Sequence, residues 1–288
     1  MISTRRPLFS IVKTSFRQWL FNPRYYVLAI LTMLLAFTFL SPLRLFCHVT
    51  GYNVSPYVLP HFVSVPYFSI LLLLGYILLF CDAPFIGSLT PYECIRAGKA
   101  VWLRGKSVYV VLASFIYAVF VQITVWAVSL PYLAWIGEWG KVIKTLAFTS
   151  AGAEFKLAFF DDVIIERFKP LEATLLSLLM LWGQGMIIGF ILLTAGLLTR
   201  MNRTAGLAAA GIYSLSPQIA GFWQVNRMYK YIPAVWLQLD LLDKPSGTNT
   251  VNPDLIISYG LVFLLVVMLA LLSQRLIRRK SIDNYEQI

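Results

Sequence analysis

Residues 100 to 107, AVWLRGKS, end in Gly105-Lys106-Ser107 and fall one glycine short of the GxxxxGK[ST] loop that cradles nucleotide phosphates. Such a loop joins a strand to a helix and needs small residues, so that successive backbone N–H groups can face the anion. Here Val101, Trp102, Leu103 and Arg104 fill it with bulk, and no apolar strand ending in an acid is present to hold Mg²⁺. The likeness is accidental, and Lys106 reads as an anchor at a lipid–water interface. Other chemistry-bearing residues are scattered. Cys47, His48 and His61 match no standard ligand spacing. Asp161, Asp162 and Glu166 sit among Lys156, Arg167 and Lys169 and read as a solvated face rather than a cation site. Cys47, Cys81 and Cys94 form no CxxC pair. No HExxH, GxSxG or paired-carboxylate arrangement occurs, so no catalytic, metal or cofactor residue is expected in the chain.

The elements around these residues must be those of a membrane protein. Hydrophobic residues make up 59% of the chain and charged ones 13%, with a mean hydropathy of +0.73. A water-soluble domain carries roughly a quarter charged residues. Charge-free apolar stretches of roughly 20 residues suit membrane-crossing helices. They predict an all-α fold with six spans in one domain, at about 25–45, 66–88, 107–135, 171–199, 204–224 and 255–275. Gly51, Pro56, Pro60 and Pro66 assign 45–65 to a loop. The fifth span is the least apolar, and Gly206, Ala208, Ala209, Ala210 and Gly211 suit close packing on another helix. An even number of spans puts both termini on one side. Segments 1–24, 82–106, 200–203 and 275–288 then share that side and hold 15 Lys and Arg against 4 acids. The opposite segments hold 9 of each, so the whole net charge of +11 lies on one face, as cytoplasmic loops favour. The charge therefore speaks for a bilayer of the cell membrane and not for nucleic acid. No removable signal segment is read at the N-terminus.

Between the spans, Leu8, Ile11, Val12, Phe16, Trp19 and Leu20 recur at helical spacing with Lys13 and Arg17 opposite. This predicts an amphipathic elbow helix over 7–22, bounded by Pro7 and by Asn22-Pro23, lying on the inner membrane surface. Thr90-Pro91-Tyr92-Glu93 has the form of a capping box. It predicts a short cytosolic helix from Pro91 to about Leu103, broken at Gly105, that exposes Glu93, Arg96, Lys99 and Arg104 as a docking element. On the outer side, 137–170 reads as one or two surface helices on the outer leaflet. The aromatic stretch with Trp223, Arg227, Tyr229, Lys230, Tyr231, Pro233 and Trp236 reads as a segment that dips into the membrane and returns before span six, forming a candidate outer gate. An interfacial aromatic belt explains the same residues equally well. Phe115, Tyr117, Trp126, Trp182 and Tyr213 are candidate liners of a pathway between spans. No span interior holds Asp, Glu, Lys or Arg, the groups that carry a coupling ion, so transport by this chain would have to borrow its energy.

This organisation resembles the ABC-2-type permeases, the membrane subunits of ABC transporters. IRAGKAVWLRGKSVYVV, 95–111, is similar to the R-x-G-x-x-x-W-x-x-G-K run these permeases carry before their third span, matching at Arg96, Gly98, Trp102, Gly105 and Lys106. YIPAVWLQLDLLDK, 231–244, is similar to the aromatic-Ser-Pro-x-x-W-x-x-L segment before span six in permeases of Gram-positive bacteria, with Ile232 in place of the serine. The resemblance implies a homodimer or heterodimer of permeases joined to two cytosolic ATPase subunits. Those subunits would be contacted by the elbow and by Pro91, Tyr92, Glu93, Arg96 and Lys99. It implies an exporter of an amphipathic or hydrophobic compound, such as a peptide, antibiotic or lipid-linked molecule, with ATP hydrolysis on the partner. The competing expectations are a membrane sensor or immunity protein that binds a peptide through its outer loops, and a lipid-modifying enzyme.

Overall fold

Asn22 accepts at Oδ1 from the N–H of Arg24 and Pro23 follows, so a cap and a helix-starting proline open the first long helix where the sequence places it. The computed structural model describes residues 5–83, 85, 90–157, 160–199, 203–222, 229, 231–242 and 254–279. In order the helices are α1 (Arg5–Arg17), α2 (Pro23–Thr50), α3 (Leu59–Ser64), α4 (Pro66–Phe80), α5 (Thr90–Ala97) and α6 (Lys99–Ser129). They continue with α7 (Gly140–Phe148), α8 (Ala151–Glu154), α9 (Asp162–Arg167), α10 (Pro170–Leu198), α11 (Arg203–Phe222) and α12 (Leu255–Arg279). Among the described residues there is no strand, only an isolated bridge between Val54 and Leu133.

Four helices, α2, α6, α10 and α12, are long and apolar enough to cross a membrane. α4 has 15 residues and reaches about 22 Å, short of a hydrocarbon core of about 30 Å. α11 has the length, about 30 Å for 20 residues, but its small and polar residues keep it below the apolarity of the other four. Contacts set the helix directions. Tyr25 meets Tyr109 and Thr32 meets Tyr117, so α2 and α6 run the same way. Tyr76 reaches the carbonyl of Ser114 and the Phe80 ring meets Tyr109, so α4 runs against α6. Gly185 lies against Tyr76 and Gly189 against Phe80, which makes α10 parallel to α4. Tyr213 bonds Gln184 and Gly206 abuts Leu192, which reverses α11. Tyr259 donates to the Leu176 carbonyl and Val262 touches Gly183, which restores the α10 direction in α12. Six helices thus alternate up and down, with α10 touching α4, α6, α11 and α12.

The bundle end where α2 and α6 begin is called proximal here, the other distal. At the distal end α2 runs on to Thr50 through Pro42, and α3 forms within the stretch expected to be loop. A proline removes one backbone donor but leaves the rest of the ladder intact, and burial of Phe39, Leu40, Leu43, Phe46 and Cys47 holds the helix together past it. α3, α7, α8 and α9 close this end. α7 does not lie on lipid as expected: Val142, Ile143 and Leu146 are buried against the protein, while Lys141 and Lys144 face outward. Ser55 donates to the Trp139 carbonyl, Trp139 Nε1 to the Phe168 carbonyl and Arg167 to the Leu242 carbonyl. Asp161 caps α9 by accepting from Val163 N–H. His61 is fully buried on α3 between the rings of Trp139 and Phe160, at 5.3 and 4.9 Å, with no hydrogen-bond partner at either nitrogen among the described residues. Burial alone pushes its pKa down to about 3.

Candidate functional site

At the proximal end the residues of the 95–111 run acquire separate jobs. The short helix breaks earlier than its sequence suggests: α5 ends at Ala97 and Gly98 takes φ +82°, a left-handed conformation that a side chain would oppose. α6 then starts at Lys99 and passes through Gly105 without a break. Gly105 is instead the contact point with the elbow. A Cβ there would come within 2.8 Å of Ile11 Cγ2, so only glycine lets α1 lie this close. Lys106, expected at a membrane interface, is 6% exposed. Its Nζ donates to Ser15 Oγ at 3.0 Å and lies 5.8 Å from the ring centres of Phe85 and Trp102, within cation–π range. Trp102, also buried, donates from Nε1 to Glu93 Oε2 at 3.0 Å and so ties α5 to α6.

The elbow accordingly differs from a helix laid on lipid. Ile11, Val12 and Ser15 are buried against the protein and Phe16 packs edge-on to Tyr109, while Lys13 and Arg17 stay exposed as the periodicity predicts. Phe9, Leu20 and Phe21 remain exposed apolar side chains. α1 ends at Arg17 and a 3₁₀ turn over Gln18–Leu20 completes the elbow. Trp19 stacks on Tyr25 at 5.0 Å and donates to Tyr109 Oη. Tyr25 hydroxyl meets Tyr109, and Arg24 donates to Tyr25 and pairs with Asp82 just beyond α4. Elbow, α2, α4 and α6 are thereby joined in one polar and aromatic network. Phe85, in the connection from α4 towards α5, holds a left-handed φ of 63° against Tyr109, a strained conformation kept by its packing.

What α5 leaves outside is a face of Tyr92, Ile95 and Arg96, with Tyr92 and Ile95 71% and 83% exposed. Beside it, Glu93 and Arg96 line a cleft of about 410 Å³ shared with Pro7, Ser10, Ile11 and Thr14 of the elbow. Of the expected docking residues, Glu93 is thus half committed to Trp102, Arg96 is exposed, Lys99 opens α6, and the side chain of Pro91 lies outside the described residues. The i, i+3, i+4 spacing of Tyr92, Ile95 and Arg96 was a legible signal. The pairing of Ser15 with Lys106 carries none, since 91 residues separate the two.

The described residues of the expected outer gate divide between surface and core. Trp223, Arg227 and Lys230 lie outside the described residues. Tyr231 is exposed, whereas Trp236 is 3% exposed and buried in the distal end. The segment is nonetheless embedded, and its non-helical backbone finds partners in protein, as it must away from water. Gln184 Nε2 on α10 donates to the Pro233 carbonyl at 2.6 Å, while Gln184 Oε1 accepts from Tyr213 of α11. Leu239 N–H donates to Ser64 Oγ. Of the candidate pathway liners, Phe115 and Trp182 meet edge to face, Trp126 donates to the Pro56 carbonyl and Tyr117 is buried beside Tyr76. Comparison with protein-family models, curated proteins and solved structures finds no match to this chain.

Proposed function

We propose that this chain is the membrane-spanning subunit of a transporter driven by ATP hydrolysis on separate cytosolic subunits. The single observation that carries the reading is the proximal face of α5. Tyr92 and Ile95 are large apolar side chains on a short helix outside the long apolar helices, where lipid does not account for their exposure. Behind them Glu93–Trp102 and Lys106–Ser15 lock α5 and the elbow to α6, and the Arg24 network continues the linkage to α2 and α4. A partner that seats on Tyr92, Ile95 and Arg96, with a protruding element in the elbow–α5 cleft, would move these helices as one body. In this reading all six alternating helices cross the cell membrane, α4 and α11 included, with the proximal end and both termini in the cytoplasm. Two copies, identical or different, pair with two ATPase subunits and export a hydrophobic or amphipathic compound.

The test is co-purification of the full chain with a co-expressed ABC-type ATPase from the same genome. The double variant Tyr92→Ala, Ile95→Asp is expected to cut recovery of the partner at least about tenfold, since it removes two apolar contacts and buries a charge in the interface. Unchanged recovery with unchanged ATP-dependent transport would defeat the assignment. A chain that turned over ATP when purified alone would defeat it as well.

A further inference from the structure

The side of the bundle between α2 and α4 carries an open groove of about 650 Å³, extending from Leu28 to Thr38 on one wall and from Tyr67 to Leu78 on the other. At 1.5 Å per residue it is about 15 Å long, half the thickness of a hydrocarbon core of about 30 Å. The hydroxyl groups of Thr32, Thr38 and Tyr117 are spent inside the protein, and that of Tyr67 sits at the exposed distal mouth. Thr32 donates to the Leu28 carbonyl at 2.8 Å, so the bond between Thr32 and Tyr117 takes its proton from the tyrosine, and Thr38 donates to the Leu34 carbonyl. What remains for an occupant is hydrocarbon contact. One alkyl chain fits this volume and length, and the charges at the proximal end of the groove favour a lipid over a helix of a second copy.

The proximal end of the groove supplies the second half of the site. Arg24 lies one turn before Leu28 on the groove face of α2, and Asp82 reaches it from just past the end of α4. The two form an ion pair, with side chains 13% and 40% exposed; Arg24 also donates to Cys81 Sγ and Tyr25 Oη, and its Nε is buried with no hydrogen-bond partner among the described residues. A cation and an anion held side by side complement a headgroup that carries both charges. Arg24 suits a phosphate oxygen and Asp82 suits an ammonium that can donate hydrogen bonds. We propose that this groove seats one acyl chain of a phosphatidylethanolamine-type lipid, with its phosphate at Arg24 and its ammonium at Asp82. The site rests on the chain lying in a bilayer and not on the ATPase partnership, so either reading can fail alone.

The experiment reconstitutes the full chain in vesicles of phosphatidylethanolamine and phosphatidylglycerol containing a trace of phosphatidylethanolamine with a diazirine on its acyl chain. After illumination, peptides covering 28–38 and 67–78 are expected to carry about tenfold more label than the exposed α12 face around Phe263 and Leu264. A choline-headed probe is expected to lose that preference. Leu74→Trp fills the groove from an exposed position and is expected to abolish the excess label. Asp82→Asn is expected to lower groove labelling by the ethanolamine-headed probe to the level of the choline-headed one. Even labelling of groove and α12 in the wild type, or excess label that survives Leu74→Trp, would overturn the proposal. So would disulfide trapping between copies through Leu34→Cys and Leu71→Cys, which would make the groove a protein interface.

Discussion

Acidification should loosen the distal end of the bundle through His61. The residue is fully buried on α3 against Trp139 and Phe160, and neither ring nitrogen has a hydrogen-bond partner among the described residues. Its folded pKa of about 3 lies below the ordinary value of 6.5 because burial penalises the imidazolium. For a base held neutral in the fold, the opened state binds the extra proton. The full stability is therefore present above pH 6.5 and is lost as pH falls towards 3. Between pH 7 and pH 5 an opened state titrating near 6.5 gains about 2 kcal/mol relative to the closed one, a factor of roughly 30 in the opening equilibrium. Amide hydrogen exchange reads this directly. After correction for the intrinsic pH dependence of exchange, amides of α3 and α7 should open about 30-fold more often at pH 5, while those of α6 and α10 should not change in step. His61→Phe keeps a planar ring of similar size and removes two orphaned nitrogens. It should stabilise this end at pH 7 by about 1–2 kcal/mol and flatten the profile. The same acid response in His61→Phe, or no response in the wild type, would show that the burial argument is wrong.

Two further outcomes follow from single contacts. Gly105→Leu forces a side chain into the space of Ile11 and should cost about 1–3 kcal/mol, releasing α1 to limited proteolysis before the rest of the chain unfolds. Gln184→Leu strands the Pro233 carbonyl and the Tyr213 hydroxyl together. At about 1–3 kcal/mol for each orphaned group, it should raise hydrogen exchange across 233–239 while α12 stays protected.

The resemblance to ABC-2-type permeases placed function in 91–103, and the structure redistributes those residues. Of the matched run, Arg96 and Gly98 are left exposed, Gly98 as the turn between α5 and α6, while Trp102, Gly105 and Lys106 are occupied in holding α5 and the elbow on α6. The run thus builds a rigid platform under the face that we propose for docking. Ile95, which the charge-centred reading left out, joins Tyr92 in the apolar part of that face.

Sequence alone was sufficient for what depends on local pattern and solvent. Uninterrupted apolar runs announced α2, α6, α10 and α12, Asn22-Pro23 marked the start of α2, and the elbow's exposed Lys13 and Arg17 followed from helical periodicity. These rest on hydrogen bonding and hydropathy within one segment, which neighbouring residues already encode. Where a partner distant in the chain decides, the pattern was silent or misleading. Gly105 looked like a helix breaker until Ile11 came to lie on it, and Lys106 looked like a surface anchor until Ser15 and two rings enclosed it. The stretch after residue 45 looked like loop until packing carried α2 on to Thr50, and the aromatic stretch looked like one segment until Gln184 drew Pro233 in and left Tyr231 outside. A side chain's environment is set by what folds against it, and only the tertiary structure brings those surfaces together.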